Sequence, residues 1–190
     1  MLLLISLVLS FSIQAHTIHL IQKGPLEIIK VGHPTLNKVA KDVDLKQIQT
    51  NDFQTFVDDM IETMKSAGGV GLAAPQVNIS KRLFVMKPSF LKEAEAIINP
   101  TIDYIEEKGT KKSTEGCLSI PGKRFSVTRY KELNMTYLNR YGEFKAEHAK
   151  GFRAIVIQHE YDHLNGELIS NLYDEYYNIN EFEELDIPQM

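Results

Sequence analysis

His159-Glu160-Tyr161-Asp162-His163 is the stretch that most constrains what this 190-residue chain can fold into. Histidines four apart share one face of a helix, so both imidazoles can reach a single divalent ion. Glu160 stands beside them, where a carboxylate can take a proton from an activated water. The surrounding residues read as a helix. Phe152, Ile155, Val156, His159 and His163 follow the i, i+3, i+4, i+7 spacing of an inward face. Gly151 precedes the run, and Gly166 after Asn165 is a stop signal. Both histidines are therefore expected inside, where a polar ring requires a partner.

Two histidines do not complete a catalytic metal site, which takes a third protein ligand and keeps one position open. A metzincin would place a third histidine six residues after the second; that position holds Ile169, which cannot ligate. A thermolysin-like site would take a later glutamate. Glu181, Glu183 and Glu184 exist, but in an acidic stretch without a strong apolar period. The remaining candidate is Cys117, in Glu115-Gly116-Cys117-Leu118-Ser119-Ile120-Pro121. As the only cysteine it cannot form an internal disulfide. A lone cysteine is most often a small buried hydrophobe, so the residue by itself leaves both roles open.

A third segment is Gly69-Val70-Gly71-Leu72-Ala73-Ala74-Pro75-Gln76. It follows a helix read from Phe53, Phe56, Val57, Met60, Ile61 and Met64, with Asn51 or Thr50 as its cap. No Gly-Lys-Ser/Thr follows, so it is not a P-loop. It follows a helix and not a strand, which argues against a dinucleotide fingerprint.

In this order, G-x-G-L-A-A-x-Q, E-G-C-L-S and Q-H-E-x-D-H closely resemble the three motifs of the peptide deformylases. The resemblance runs from about residue 26 to about residue 171 and includes Ile98-Asn99-Pro100 and Arg124. It implies one divalent metal ion held by Cys117, His159 and His163, with Fe(II) favoured and Zn, Ni or Co able to take its place. It implies Glu160 as the acid/base, with Gln76 and the backbone N–H of Leu118 as donors to the reacting oxygen. It also places Gly71 in the substrate cleft and pairs Glu115 with Arg129 behind the cysteine. The implied reaction is hydrolysis of the formamide on the formyl-methionine of nascent chains. A formamide carbonyl is a poor electrophile, and a metal meets that need by lowering the pKa of water to about 7. Val70, Phe152, Ile155 and Val156 are candidate walls for the methionine side chain. A strand edge beside residues 69–71 would accept the peptide as an added strand. The same helix in a metalloprotease, or in a metal- or peptide-binding protein without turnover, are the competing readings.

Length and composition suit one compact domain. Strand-like runs occupy residues 82–87, 94–99, 102–106, 125–130, 133–138 and 142–146, with turns at Asn99-Pro100 and Tyr141-Gly142. Helices stand before and after them. The fold class is therefore α+β, a single domain of antiparallel strands packed around a central metal-binding helix. The chain divides into an apolar leader (1–23), a catalytic domain (24–173) and an acidic tail (174–190).

All 21 Lys and Arg lie at or before Arg153, while nine of the 25 acids lie beyond it. The acidic end is expected to be a solvated tail. Some family members dock on the ribosome through a basic C-terminal helix, a pattern this chain departs from. The modest positive balance elsewhere is too weak to argue nucleic-acid binding. Residues 1–15 are mostly apolar and end in Ala15. That length suits the apolar core of a secretory signal and falls short of the roughly 20 residues of a membrane span. No Lys or Arg precedes Lys23 and Ile13 is large for a cleavage site. The leader nevertheless points to export or anchoring, with a segment packed on the domain as the alternative, against the cytoplasmic role the family resemblance implies.

Overall fold

The computed structural model describes residues 24–87 and 93–178. The leader and the acids Glu181, Glu183, Glu184 and Asp186 lie outside the described residues.

After a short helix α1 (Leu45–Ile48), Thr50 starts α2 (Asn51–Ser66). Its hydroxyl accepts the N–H of Phe53, which satisfies one open amide of the first turn. Phe56, Val57, Met60 and Met64 form the buried side of α2. Strands β1 (Gly71–Ala73), β2 (Leu83–Met86), β3 (Glu95–Tyr104), β4 (Thr110–Cys117), β5 (Ile120–Tyr130), β6 (Glu132–Leu138) and β7 (Phe144–Lys150) follow. Then come α3 (Gly151–Leu164), α4 (Ile169–Leu172) and β8 (Glu175–Asn178). One antiparallel sheet has the order β1-β2-β3-β6-β7 and a second the order β4-β5-β8. This is the α+β, antiparallel, single-domain arrangement the sequence implied, with α3 touching strands of both sheets.

β2 explains how the larger sheet is covered. Its four residues are all buried. Phe84 and Met86 join the cluster around Ile155, Val156 and Ile157 of α3, while Leu83 and Val85 join the one around Phe56, Met60 and Met64 of α2. Successive side chains point to opposite faces, so a continuous apolar run marks a strand with a helix on each side. A smaller cluster of Cys117, Ile120, Phe125, Val127 and Ile169 closes the second sheet.

Four expectations are corrected. Asn99-Pro100 is not a turn between strands, since β3 runs through it. The ladder shifts register between Ile98↔Leu138 and Thr101↔Thr136; Pro100 has no N–H to give, and Asn99 takes φ 49°. The Asn99 amide then bonds both the N–H and C=O of Val43. β4 was absent from the expected strands because its residues are mostly polar; it exists through its ladder with β5. Part of the expected acidic tail is strand: β8 pairs with β5, and the Asp174 N–H donates to the Ser126 carbonyl at 2.8 Å. Backbone pairing of this kind tolerates the acidic sequence. Finally, Phe152 is 42% exposed and does not belong to an inward face. From Ala154 to Glu160 every residue of α3 is buried, as for a helix enclosed on all sides, so one apolar stripe is the wrong description of it.

Candidate metal centre

Three segments meet at one point: the end of β4, the 3-10 turn Ala74–Val77 after β1, and the C-terminal half of α3. The ligating atoms of Cys117, His159 and His163 all lie within 4.8 Å of one another, and all three residues are buried. Cys117 Sγ is 3.4 Å from His163 Nε2. A tetrahedral ion about 2.3 Å from sulfur and about 2.0–2.1 Å from nitrogen holds such a pair about 3.5 Å apart. The donor spacing therefore fits an ion.

The second layer fixes the first. Glu115, fully buried, accepts from His159 Nδ1 at 3.0 Å, which turns Nε2 of that ring toward the site. Arg129 grips Glu115 through two bonds of 2.8 Å and also donates to Asp162. Burial opposes ionisation of Glu115, but the bonds from Arg129 and His159 outweigh it and hold its pKa at about 2. Burial pushes His163 well below the usual histidine range, which keeps its ring neutral, the ligating form. His159 is shifted upward: burial disfavours its proton, and hydrogen bonds to Cys117 and Glu115 overcome that. Glu160 Oε2, buried at the site, has no hydrogen-bond partner, and a buried polar atom of that kind calls for an occupant.

Glu160 is 1% exposed, and burial raises its pKa to about 7. Its Oε1 lies against the backbone of Gly71, where a Cβ would come within 2.2 Å. Glycine is needed at that position for room. Gln76 is oriented by the Ala73 N–H, which donates to its Oε1 at 2.8 Å. Its NH₂ end therefore faces Cys117 Sγ (3.6 Å) and Ser119 Oγ (3.3 Å). Leu118 lies across Gly69, with Cδ1 at 2.8 Å from where a Cβ would be.

The remaining sequence candidates separate. Val70, Ile155 and Val156 pack in one cluster. Val156 has no exposed surface, so it serves the core, while Val70 and Ile155 retain a few per cent. Phe152 stands outside that cluster. Sequence reasoning missed Ser119, Asp162 as a partner of Arg129, and Gln158. The Gln158 amide bonds both the N–H and C=O of Tyr130, tying α3 to β5. Ser119, Gln158 and Asp162 all lie inside the quoted motifs, which is the signal that could have found them.

A buried sulfur-and-imidazole cluster, a carboxylate beside it on an H-E-x-x-H helix, and an amide aimed at the same point define a metal-dependent hydrolase with one metal ion. Residues 25–177 match the polypeptide deformylase family. The chain belongs to the peptide deformylase family, and it removes the N-formyl group from nascent polypeptides. It is 45% identical to a peptide deformylase of Fusobacterium nucleatum over 142 residues, 74% of this chain and 79% of that protein. The crystal structure of a peptide deformylase from Thermotoga maritima has a TM-score of 0.73 and 40% identity, covering 80% of this chain and 99% of that one. A class I type b peptide deformylase from Acinetobacter baumannii, solved with Met-Ala-Ser bound, has a TM-score of 0.74 and 33% identity, covering 80% and 99%. Among the described residues no helix is long and apolar enough to cross a membrane.

Proposed function

We propose that Cys117, His159 and His163 hold one Fe(II) ion, that Glu160 is the acid/base, and that Gln76 and the Leu118 N–H bind the reacting oxygen. The substrates are formyl-methionine peptides and nascent chains. The observation carrying this reading is the meeting of the three ligating atoms with the Glu160 carboxylate and the Gln76 amide in one buried space. The bound ion supplies a Lewis acid that makes water nucleophilic at neutral pH.

Glu160 takes the proton that water loses as its oxygen adds to the formyl carbon. Negative charge grows on the formyl oxygen, where Gln76 Nε2 and the Leu118 N–H donate; one such donor contributes about 3–4 kcal/mol. Glu160 then returns the proton to the amine nitrogen as the C–N bond breaks, leaving formate and a free amino terminus. A buried carboxyl poised near neutrality suits both steps. Val70 and Ile155 form the apolar side against the methionine, and the edge of β1 offers backbone groups to the peptide. The Met-Ala-Ser bound to the Acinetobacter relative supports a peptide of this kind.

Sulfur with two imidazoles suits iron, zinc or cobalt on ligand chemistry; the family resemblance favours iron. The leader, if it exports the chain, directs the enzyme to formylated peptides already translocated. Mass spectrometry of the native amino terminus, with fractionation, tests that. The central test is formate release from formyl-Met-Ala-Ser by protein purified anaerobically and loaded with iron. Formate is expected; cleavage of unformylated peptides without formate would favour a metalloprotease instead.

A further inference from the structure

Residues 26–31 belong to no helix or strand, yet they tie together two sides of the reaction centre. The Leu26 N–H donates to Thr63 Oγ1 at 2.7 Å, which anchors the segment to α2. The Ile29 N–H donates to the Gln76 carbonyl and the Val31 N–H to the Ser119 carbonyl, each at 2.9 Å. Between them, Lys30 Nζ donates to the Leu118 carbonyl at 3.0 Å. The backbone bonds are open to almost any residue. The Lys30 bond is side-chain specific and brings a full positive charge to the turn that carries Leu118.

We propose that Lys30 is a positioning residue for deformylation: it holds the Leu118 carbonyl and sets a positive charge within about 10 Å of the reacting oxygen. This rests on the reading of the Leu118 N–H as a donor. Within one residue, N and O are at most about 3.6 Å apart. Lys30 Nζ therefore lies within about 7 Å of the Leu118 nitrogen, and an oxygen accepting from that N–H lies within about 10 Å of the ammonium. At that range and at low ionic strength an exposed charge changes a rate by about 3–10-fold, and salt screens most of that effect away. The formyl oxygen gains its charge only in the transition state, so the effect falls on kcat and not on KM.

The test uses the full chain with equal metal loading, in Lys30→Met, Lys30→Gln and Lys30→Arg variants, on a formyl-Met peptide at low and high ionic strength. Metal content and melting temperature are read alongside. Lys30→Met and Lys30→Gln should lower kcat about 3–10-fold at low ionic strength with KM within about twofold, and Lys30→Arg should restore it. The wild-type rate should fall with salt toward that of Lys30→Met. A Lys30→Met enzyme with wild-type kcat overturns the proposal. So does a melting-temperature loss shared by all three variants with kcat unchanged, which would make the contact merely structural. Full kcat in Lys30→Gln, or no rescue by Lys30→Arg, overturns the role of the charge. A wild-type chain that releases no formate refutes the parent reading, a separate result.

Discussion

Gly71→Ala puts the largest local strain at the site for the smallest chemical change. A Cβ there would lie 2.2 Å from Glu160 Oε1, 2.8 Å from Cδ and 3.0 Å from Cγ. Ordinary contact begins near 3.4 Å, so the carboxylate must retreat by more than about 1 Å or β1 must shift by as much. Glu160 has little room to retreat, since α3 is buried on every side around it. Overpacking of this sort destabilises by about 1–3 kcal/mol, which a domain of this size survives. Activity should suffer more, because a displacement of about 1 Å in a catalytic group reduces rate by about 100-fold. His159 and His163 are held through Glu115 and the helix, so metal content should stay near wild type. Gly69→Ala is the milder comparison: its nearest conflict is Leu118 Cδ1 at 2.8 Å, the end of a side chain that can swing away, with the Gly71 and Met64 carbonyl oxygens at 3.3 and 3.4 Å. Formate release, metal analysis and a thermal melt on the two variants decide the matter. If Gly71→Ala keeps kcat within about threefold of wild type, the reasoning that Glu160 works from this position fails.

Glu160→Gln should abolish deformylation and leave the metal bound, as metal analysis of the purified variant will show; loss of the ion would make Glu160 a ligand. Gln76→Leu should lower kcat by about 10²–10³-fold with folding intact, the effect of losing one donor to the reacting oxygen. Glu115→Gln should weaken metal affinity about 10–100-fold, measured by chelator competition, because His159 loses the partner that orients it. The same variant bears on acid stability. Glu115 has its pKa lowered from 4.5 to about 2, so the stability it contributes is fully present above pH 4.5 and lost as pH falls through about 2. Glu115→Gln should flatten that limb of the stability curve, and an unchanged limb would contradict the pairing.

The sequence made some of this legible and hid the rest for physical reasons. The run Leu83–Met86 reads as a strand because both of its faces are covered. α2 reads as a helix because one side meets the core and its Thr50 cap is local. β4 gave no signal, since its buried residues Glu115, Gly116 and Cys117 serve the site and its order comes from hydrogen bonds to β5. Phe152 was misplaced because periodicity assumes one wet face, and α3 has almost none beyond its first turn. Asn99-Pro100 carries every mark of a turn, and only the partner β6 shows it to be a register shift. Gly71 stood out within its motif, but the reason for it, the Glu160 carboxylate, sits 89 positions away.

The charge buried behind the metal ligands has its own logic. Arg129 is buried between Glu115 and Asp162, and an ion pair taken out of water gains little stability over an apolar replacement of equal shape. Losing one partner is another matter, because it strands the other without water. The network therefore holds geometry more than it adds stability. Glu115 fixes the ring of His159, Arg129 fixes Glu115, and Asp162 lies on α3 between Glu160 and His163. One guanidinium thus links the strand that carries Cys117 to the helix that carries both histidines. Arg129→Met should consequently lower metal affinity more than Asp162→Asn does, since only the first change leaves Glu115 buried without its cation. Equal losses in the two variants would show that Asp162, and not Glu115, transmits the effect of Arg129 to the ligands.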